Sequence, residues 1–315
     1  MALAGPATFV KQGEALAPTD TVSIEELQAI ARRIRRHIIQ MTLAAQSGHP
    51  GGSLSCADIL TALYFRVMRH DPKNPHWPER DRLIVSKGHA TPAVYGALAE
   101  AGYFPTDELR TFRKLGSRLQ GHTVMHNPPG VEMSAGALGM GLSFSLGQAL
   151  AGRLDGRDYH VFCLLSDGDC EEGQTWEAMA ACAHHRTDNL TAIVDRNHIQ
   201  NDGFSDYLRW QDGDPPRRPG GWVREDDHTV NILSLEPFAD KWRAFGWRVW
   251  HIDGHDFGAI TGALEESKAH KGQPTVVICE TIKGKGISYM ENNPDFHGKA
   301  PTPEQAEQAL RELAD

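Results

Sequence analysis

Between Ser23 and Gln46 apolar residues recur at helical spacing, with Ile24, Leu27, Ile30, Ile34, Ile38 and Met41 on one stripe. Ser23 opens the run and Glu26 follows three residues on, the pattern of a capping box. The glycine-rich stretch Ser47-Gly48-His49-Pro50-Gly51-Gly52 predicts a loop that stops this helix, and a second apolar helix is predicted through Ala57 to Val67. The pattern then alternates. Short apolar, β-branched runs at Leu83–Val85, Val161–Leu165, Thr191–Val194, Arg248–Ile252 and Thr275–Cys279 predict strands. Helical patterns fall at Thr91–Ala101, Gly141–Arg153, Thr175–His185, Leu235–Phe245 and Phe257–His270, with a final polar helix near Pro303–Leu313. Strands buried on both faces and alternating with helices predict one α/β domain with a mostly parallel sheet covered on both sides.

Composition narrows the class. A chain of 315 residues with 40% hydrophobic and 23% charged residues is long enough for a large core and reads as soluble and globular. The formal charge of −9, without a Lys/Arg tract, argues against a general nucleic-acid or anionic-membrane binder, though a small anionic ligand needs only a local site. No apolar run approaches the roughly 20 residues that cross a bilayer. Met1–Asp20 lacks a basic start followed by an apolar run; it reads as a loosely ordered arm (residues 1–20) ahead of a domain over 21–315. Five scattered cysteines without a CxxC pair predict reduced thiols and a cytoplasmic location.

Ligands of open parallel sheets bind beyond the carboxyl ends of the strands. One such junction reads Leu165-Ser166-Asp167-Gly168-Asp169, an apolar strand running into Asp-Gly and then a helix. A carboxylate there is a hard oxygen ligand, and Gly168 allows close approach of a phosphate. The next strand ends in Asp195-Arg196-Asn197-His198-Ile199, placing Asn197 thirty residues after Asp167, one βαβ step away. A carboxylate and an amide oxygen, completed by diphosphate oxygens and water, suit Mg²⁺ or Ca²⁺. Alone, Asp-Gly is a turn and Asn197 a cap; the spacing after two successive strands favours the metal–diphosphate reading. The glycines form no GxGxxG after a convincing strand, so a dinucleotide is not expected.

Ser166-Asp167-Gly168, the thirty-residue gap and the closing Asn197 resemble the thiamine-diphosphate motif. The segments Glu172-Gly173-Gln174-Thr175-Trp176-Glu177-Ala178 and Asp188-Asn189-Leu190 resemble the N-terminal half of transketolase, and above all the separate N-terminal subunit of split transketolases. The likeness covers about residues 23 to 300. It implies the thiamine-diphosphate-binding fold of the diphosphate domain, with Asp167, Asn197 and the carbonyl of Ile199 on the cation and Gly168 against the diphosphate. Ser166 replaces the usual first glycine and is small enough to donate to phosphate.

Four of sixteen histidines, His49, His89, His122 and His297, sit in glycine-marked contexts. Each singly is more often structural than catalytic. Together they match transketolase contexts in chain order, and the resemblance implies that they line the cofactor's reactive carbon and contact donor and acceptor hydroxyls, with His89 also touching the cofactor. Breaking a ketose C–C bond requires a hydroxyl proton to be removed and an oxyanion to be held, which imidazole serves near neutral pH. Proton transfer and hydroxyl contacts are assigned to His49, His89 and His297, and carbonyl or hydroxyl recognition to His122. Gly136 and Leu138, in Ser134-Ala135-Gly136-Ala137-Leu138, match backbone that passes beneath the thiamine. Glu172 matches a glutamate between paired active sites, or is simply a helix-start carboxylate. Asp253-Gly254-His255-Asp256 reads as a structural turn.

The resemblance also implies a missing half. In this family a second domain supplies the glutamate that activates the aminopyrimidine, an aromatic platform and the main sugar-phosphate contacts. The expected protein is therefore one subunit of an α₂β₂ assembly with a separate C-terminal, pyrimidine-binding subunit. It transfers a two-carbon ketol unit from a ketose phosphate to an aldose. An insertion at about 207–227, carrying Trp210, Arg217, Arg218 and Trp222, is a candidate contact for substrate or partner. Alternatives are a subunit of a 2-oxo-acid dehydrogenase, a deoxyxylulose-phosphate synthase type of enzyme, and a non-catalytic regulatory subunit.

Overall fold

A computed structural model describes residues 22–201, 203–205 and 232–314. The N-terminal arm and the 207–227 insertion lie outside the described residues.

The chain opens with α1 (Ile24–Ala45), which begins where the sequence says it should: Ser23 Oγ accepts from the Glu26 N–H, and the Glu26 carboxylate accepts from the Ser23 N–H. Two short helices follow, α2 (Pro50–Ser55) and α3 (Ala57–Ala62), with a wider π turn over Leu63–Val67. The expected loop at 47–52 is thus half helix. Pro50 can start a helix because its missing N–H would be unpaired there, and the glycines are kept for packing. A Cβ on Gly51 would lie 2.9 Å from the Phe296 carbonyl oxygen.

Then come β1 (Arg82–Val85), α4 (Thr91–Glu100), α5 (Met140–Leu154) and β2 (Val161–Ser166). The short α6 (Asp167–Glu171) leads into α7 (Gly173–His184) and β3 (Leu190–Arg196). Completing the fold are α8 (Phe238–Ala244), β4 (Arg248–Asp253), α9 (Phe257–Ala269), β5 (Thr275–Glu280) and α10 (Pro303–Glu312). All five expected strands are present, within two residues of their predicted ends. Helix α8 is shorter than the predicted Leu235–Phe245, starting only after Pro237.

The strands form one wholly parallel sheet in the order β1-β2-β3-β5-β4. Alternate strand residues feed two cores. Leu83, Val85, Phe162, Leu164, Ile193 and Val277 meet α1, α3, α4 and α9 on one face. Ile84, Val161, Cys163, Leu165, Val194 and Ile278 meet α5, α7 and α8 on the other. This two-sided burial is why the strands read as continuous apolar runs. Register aligns Ser166 with Asp195 and Asp195 with Cys279, so the chain leaves β2, β3 and β5 side by side at one end of the sheet. All five cysteines are buried and free. Among the described residues no helix is long and apolar enough to cross a membrane.

Candidate active site

The strand ends carry a buried charged corner. Asp167, the first residue after β2, has no exposed surface. Its Oδ2 accepts from the backbone N–H groups of Asn197 and His198, both at 2.9 Å, and its Oδ1 pairs with the Arg196 guanidinium. Burial holds the Asp167 carboxyl above its usual value despite Arg196. Asn197 Oδ1 accepts from the Ile199 N–H at 3.2 Å, and the Ile199 carbonyl accepts from Lys283 Nζ at 3.0 Å. Asp167, Asn197 and Ile199 are therefore linked neighbours, as their positions after β2 and β3 predict. Asn197 also serves its bland role of closing a local turn.

These residues fit a hard divalent cation: one carboxylate, one amide oxygen and one carbonyl on adjoining loops. Among the described residues no cluster of three or more His, Cys, Asp or Glu side chains could hold a metal ion, so a cation here would depend on the amide and carbonyl oxygens and on the bound anion. A cation here competes with Arg196 for Asp167 Oδ1. Gly168 fits a phosphate cradle, since a Cβ on it would come within 2.9 Å of Leu138 Cδ1. Leu138 thus lies directly over Gly168, while Gly136 is exposed with nothing within 4 Å of its Cβ position. Ser166, small enough to donate to a phosphate, makes a local bond in this structure. It caps α6, and its hydroxyl donates to Asp169 Oδ2 at 2.8 Å.

Two buried lysines flank the corner, and neither was singled out by sequence reasoning. Lys87 pairs with Asp195 and donates to the Gly52 carbonyl at 2.9 Å, while Ser55 Oγ donates to Asp195 Oδ2 at 2.6 Å. Burial opposes both charges, yet the pair holds Lys87 above and Asp195 below their usual values. Lys283, just beyond β5, is different. Its ammonium donates to the carbonyls of Ile199 and Gln200 and meets His297 Nδ1 at 2.8 Å. Among the described residues no carboxylate takes a hydrogen bond from it. Burial and the nearby Lys87 push it down to about 7. The strand-end rule that located Asp167 applies equally to Lys283 and could have found it.

Beyond Lys283 the four glycine-flanked histidines converge from four separate segments. Ring centroids lie 5.3 Å apart for His49–His89, 5.4 Å for His49–His297, 5.8 Å for His49–His122 and 5.3 Å for His89–His297. His49, His89 and His297 are half-buried and His122 lies exposed at the rim. Burial is the first cause that lowers every one of them, and neighbouring cations add to it. His49 falls to about 4, with Arg113, His122 and Lys283 contributing, and His297 to about 2, with Lys283 contributing. His89 is well below its ordinary value and His122 is lowered. The cluster is neutral at pH 7, able to donate and accept hydrogen bonds. An open cavity of about 690 Å³ lined by Ser47, Arg113, Gln120, His122 and Ala135 adjoins it.

Glu172 is not part of this cluster. It is the exposed N-cap position of α7, makes no side-chain cap bond, and its Cβ packs where a Cβ on Gly139 would be. The Asp253–Asp256 segment is the structural turn expected: Asp256 caps α9 and His255 Nδ1 meets Asp58 at 2.7 Å.

Comparison with known proteins adds an independent line. Residues 27–223 and 222–313 match the family model "Transketolase, thiamine diphosphate binding domain". The chain is 41% identical over 288 residues to the 6-deoxy-6-sulfo-D-fructose transketolase subunit SqwG of Clostridium sp., covering 91% of this chain and 96% of that one. It is 40% identical over 295 residues to an apulose-4-phosphate transketolase subunit of Actinobacillus succinogenes, covering 93% and 98%. Among solved structures, transketolase from Campylobacter jejuni superposes with a TM-score of 0.78 at 32% identity, covering 92% of this chain but 43% of that one. The chain thus spans nearly the whole of the two subunits and less than half of the longer transketolase.

Proposed function

This chain belongs to the transketolase family as its N-terminal, thiamine-diphosphate-binding part, and from that premise we propose how its site works and with what. The observation that carries the reading is Lys283, a buried cation at the strand ends with carbonyls and a histidine for company, set between a hard-oxygen corner and a neutral histidine wall. A diphosphate supplies the anion that this lysine lacks. Asp167, Asn197 and the Ile199 carbonyl would hold Mg²⁺ (or Ca²⁺), Gly168 would lie against the diphosphate, and Gly136 and Leu138 would face the thiamine. When bound, thiamine diphosphate supplies a nucleophilic carbon and stores the electron pair released on C–C cleavage.

The chain's own residues orient the sugar and handle its protons. Being neutral, His89 can accept a proton from a sugar hydroxyl and return it without first losing one of its own, while His297, whose Nδ1 accepts from the Lys283 ammonium, holds its proton on Nε2 and donates to a substrate oxygen. His49 contacts substrate oxygen deep in the wall, and His122 recognises a carbonyl or hydroxyl at the rim. The half-buried setting strengthens these hydrogen bonds by excluding water. Glu172, outside the wall, faces a partner site or serves only the start of α7.

We propose a separate C-terminal subunit that supplies the pyrimidine-binding half in an α₂β₂ assembly. The donor is a ketose carrying an anionic group, as the names of the two relatives specify a sulfo-sugar in one and a sugar phosphate in the other. Five buried free thiols suit the reducing cytoplasm. The test is reconstitution with the partner subunit, thiamine diphosphate and Mg²⁺, following transfer of a two-carbon unit from ketose phosphate to aldose. Activity only in the mixture supports the reading. Full transfer by this chain alone removes the need for a partner, and decarboxylation of pyruvate without action on ketoses moves the enzyme to the 2-oxo-acid class.

A further inference from the structure

Arg113 lies in the turn between the short helix at Thr106–Thr111 and His122, and it has an unusual backbone. Its φ is 58°, in the left-handed region that a non-glycine residue occupies only when its surroundings hold it there. The Arg113 N–H donates to the Leu119 carbonyl at 2.9 Å, which pins that turn. The turn aims the side chain inward. One terminal nitrogen donates to Ser47 Oγ at 2.7 Å; the other donates to the Gly121 carbonyl at 3.2 Å and reaches His49 Nδ1 at 3.4 Å. No carboxylate pairs with this guanidinium among the described residues, and its buried Nε has no hydrogen-bond partner. The group is packed for position, since a Cβ on Gly121 would stand 2.7 Å from Arg113 Nε.

A guanidinium has only donors. An Arg N–H directed at His49 Nδ1 therefore requires a lone pair on that nitrogen, and the neutral ring must carry its proton on Nε2. We propose that Arg113 is a positioning residue that holds His49 as the neutral, Nε2-protonated tautomer, so that His49 presents a hydrogen-bond donor, not a base, to the sugar oxygen. Lys283 imposes the same tautomer on His297 through its Nδ1, so this division of labour leaves proton acceptance to His89. It deepens the functional reading of this wall and rests on it for the identity of the substrate, but the tautomer itself is a property of the chain alone.

Of the groups that face His49, Arg113, His122 and Lys283 favour the uncharged ring, and His89 and His297 pack against it as neutral rings. Arg113 and His122 approach from the 113–122 turn, Lys283 and His297 from beyond β5, and His89 from beyond β1. Burial contributes most and Arg113 next. Removing Arg113 should therefore raise the His49 value without restoring it to the ordinary 6.5.

The experiment is long-range ¹H–¹⁵N spectroscopy of the full chain with ¹⁵N-labelled histidine, His49 being assigned from the spectrum of His49→Gln. The expected wild-type result is an unprotonated Nδ1 and a protonated Nε2 at pH 7, with titration well below 6.5. Arg113→Met should mix the two tautomers and move the titration upward by about one unit. Arg113→Lys, which keeps a charge but loses the fork, should retain more of the shift than of the tautomer. Gly121→Ala should mix the tautomers as Arg113→Met does but keep part of the titration shift as Arg113→Lys does, because the added methyl displaces the guanidinium while leaving its charge on the chain. A proton on Nδ1 in the wild type overturns the proposal even if no variant folds. Unchanged tautomer and titration in both folded Arg113→Met and Gly121→Ala also overturn it. Absence of ketol transfer in the reconstituted enzyme would defeat the functional reading while leaving a measured Nε2–H tautomer standing.

Discussion

The charged corner and the histidine wall share one end of one sheet yet are built on opposite electrostatic plans. In the corner, Asp167, Asp195, Lys87 and Arg196 are all ionised-type groups removed from solvent and locked in pairs. In the wall, four titratable rings lie within 6 Å of a neighbour and none carries charge at pH 7. The two plans depend on each other. The lysines of the corner are among the cations that keep His89 and His297 neutral. The lesson is that a permanent grip and a reversible proton carrier require different environments, and that the first can set the second.

The comparison breaks most visibly if the corner loses a partner. Lys87→Met leaves Asp195 buried with only Ser55, Thr281 and Asn197 as partners, and should cost about 3–5 kcal/mol of stability. Urea unfolding of the full chain checks this, and a loss below about 1 kcal/mol would show that the pair is not the buried ion pair described.

In the wall, a change should strike turnover rather than grip. His297→Asn in the reconstituted enzyme should lower kcat by about 10²–10³-fold while cofactor affinity stays within about threefold. Equal losses in both would merge the two regions into one.

The pH dependence of stability separates them further. His49 has a folded-state value of about 4 against an ordinary 6.5, so on acidification the unfolded chain takes up the proton first. Its contribution is complete above about pH 6.5 and is lost as the pH falls toward 4, amounting to about 3 kcal/mol. His49→Gln should flatten this acid limb in unfolding curves taken between those values. A control outside both regions gives the smallest effect. Ser23→Ala removes the α1 cap for about 1 kcal/mol, measured by thermal unfolding, with cofactor uptake unchanged.

What was legible in the sequence was what depends on local chain or on strand ends. The Ser23–Glu26 box acts over three residues, and strands buried on both faces leave apolar runs that need no partner to be seen. Spacing placed Asp167 and Asn197 at one crevice, and the resemblance to transketolase contexts in chain order grouped the four histidines. Tertiary pairing was not legible. Lys87 and Asp195 are 108 positions apart, and the Arg113 fork depends on a left-handed backbone that no propensity favours. Helix α2 hid in a glycine-rich run because those glycines serve close packing against Phe296 and His89, which overrides their low helix propensity. The local cap that Ser166 forms with Asp169 was likewise not legible, because it needs the turn after β2 to be built first.

The most direct measurement is calorimetric titration of thiamine diphosphate and Mg²⁺ into the assembled two-subunit enzyme, comparing wild type with Asp167→Asn and His297→Asn. The account predicts that Asp167→Asn, verified as folded, loses cofactor uptake by a hundredfold or more, about 3 kcal/mol, while His297→Asn binds nearly as the wild type does. Undiminished uptake by Asp167→Asn, or none by the wild type, would contradict it.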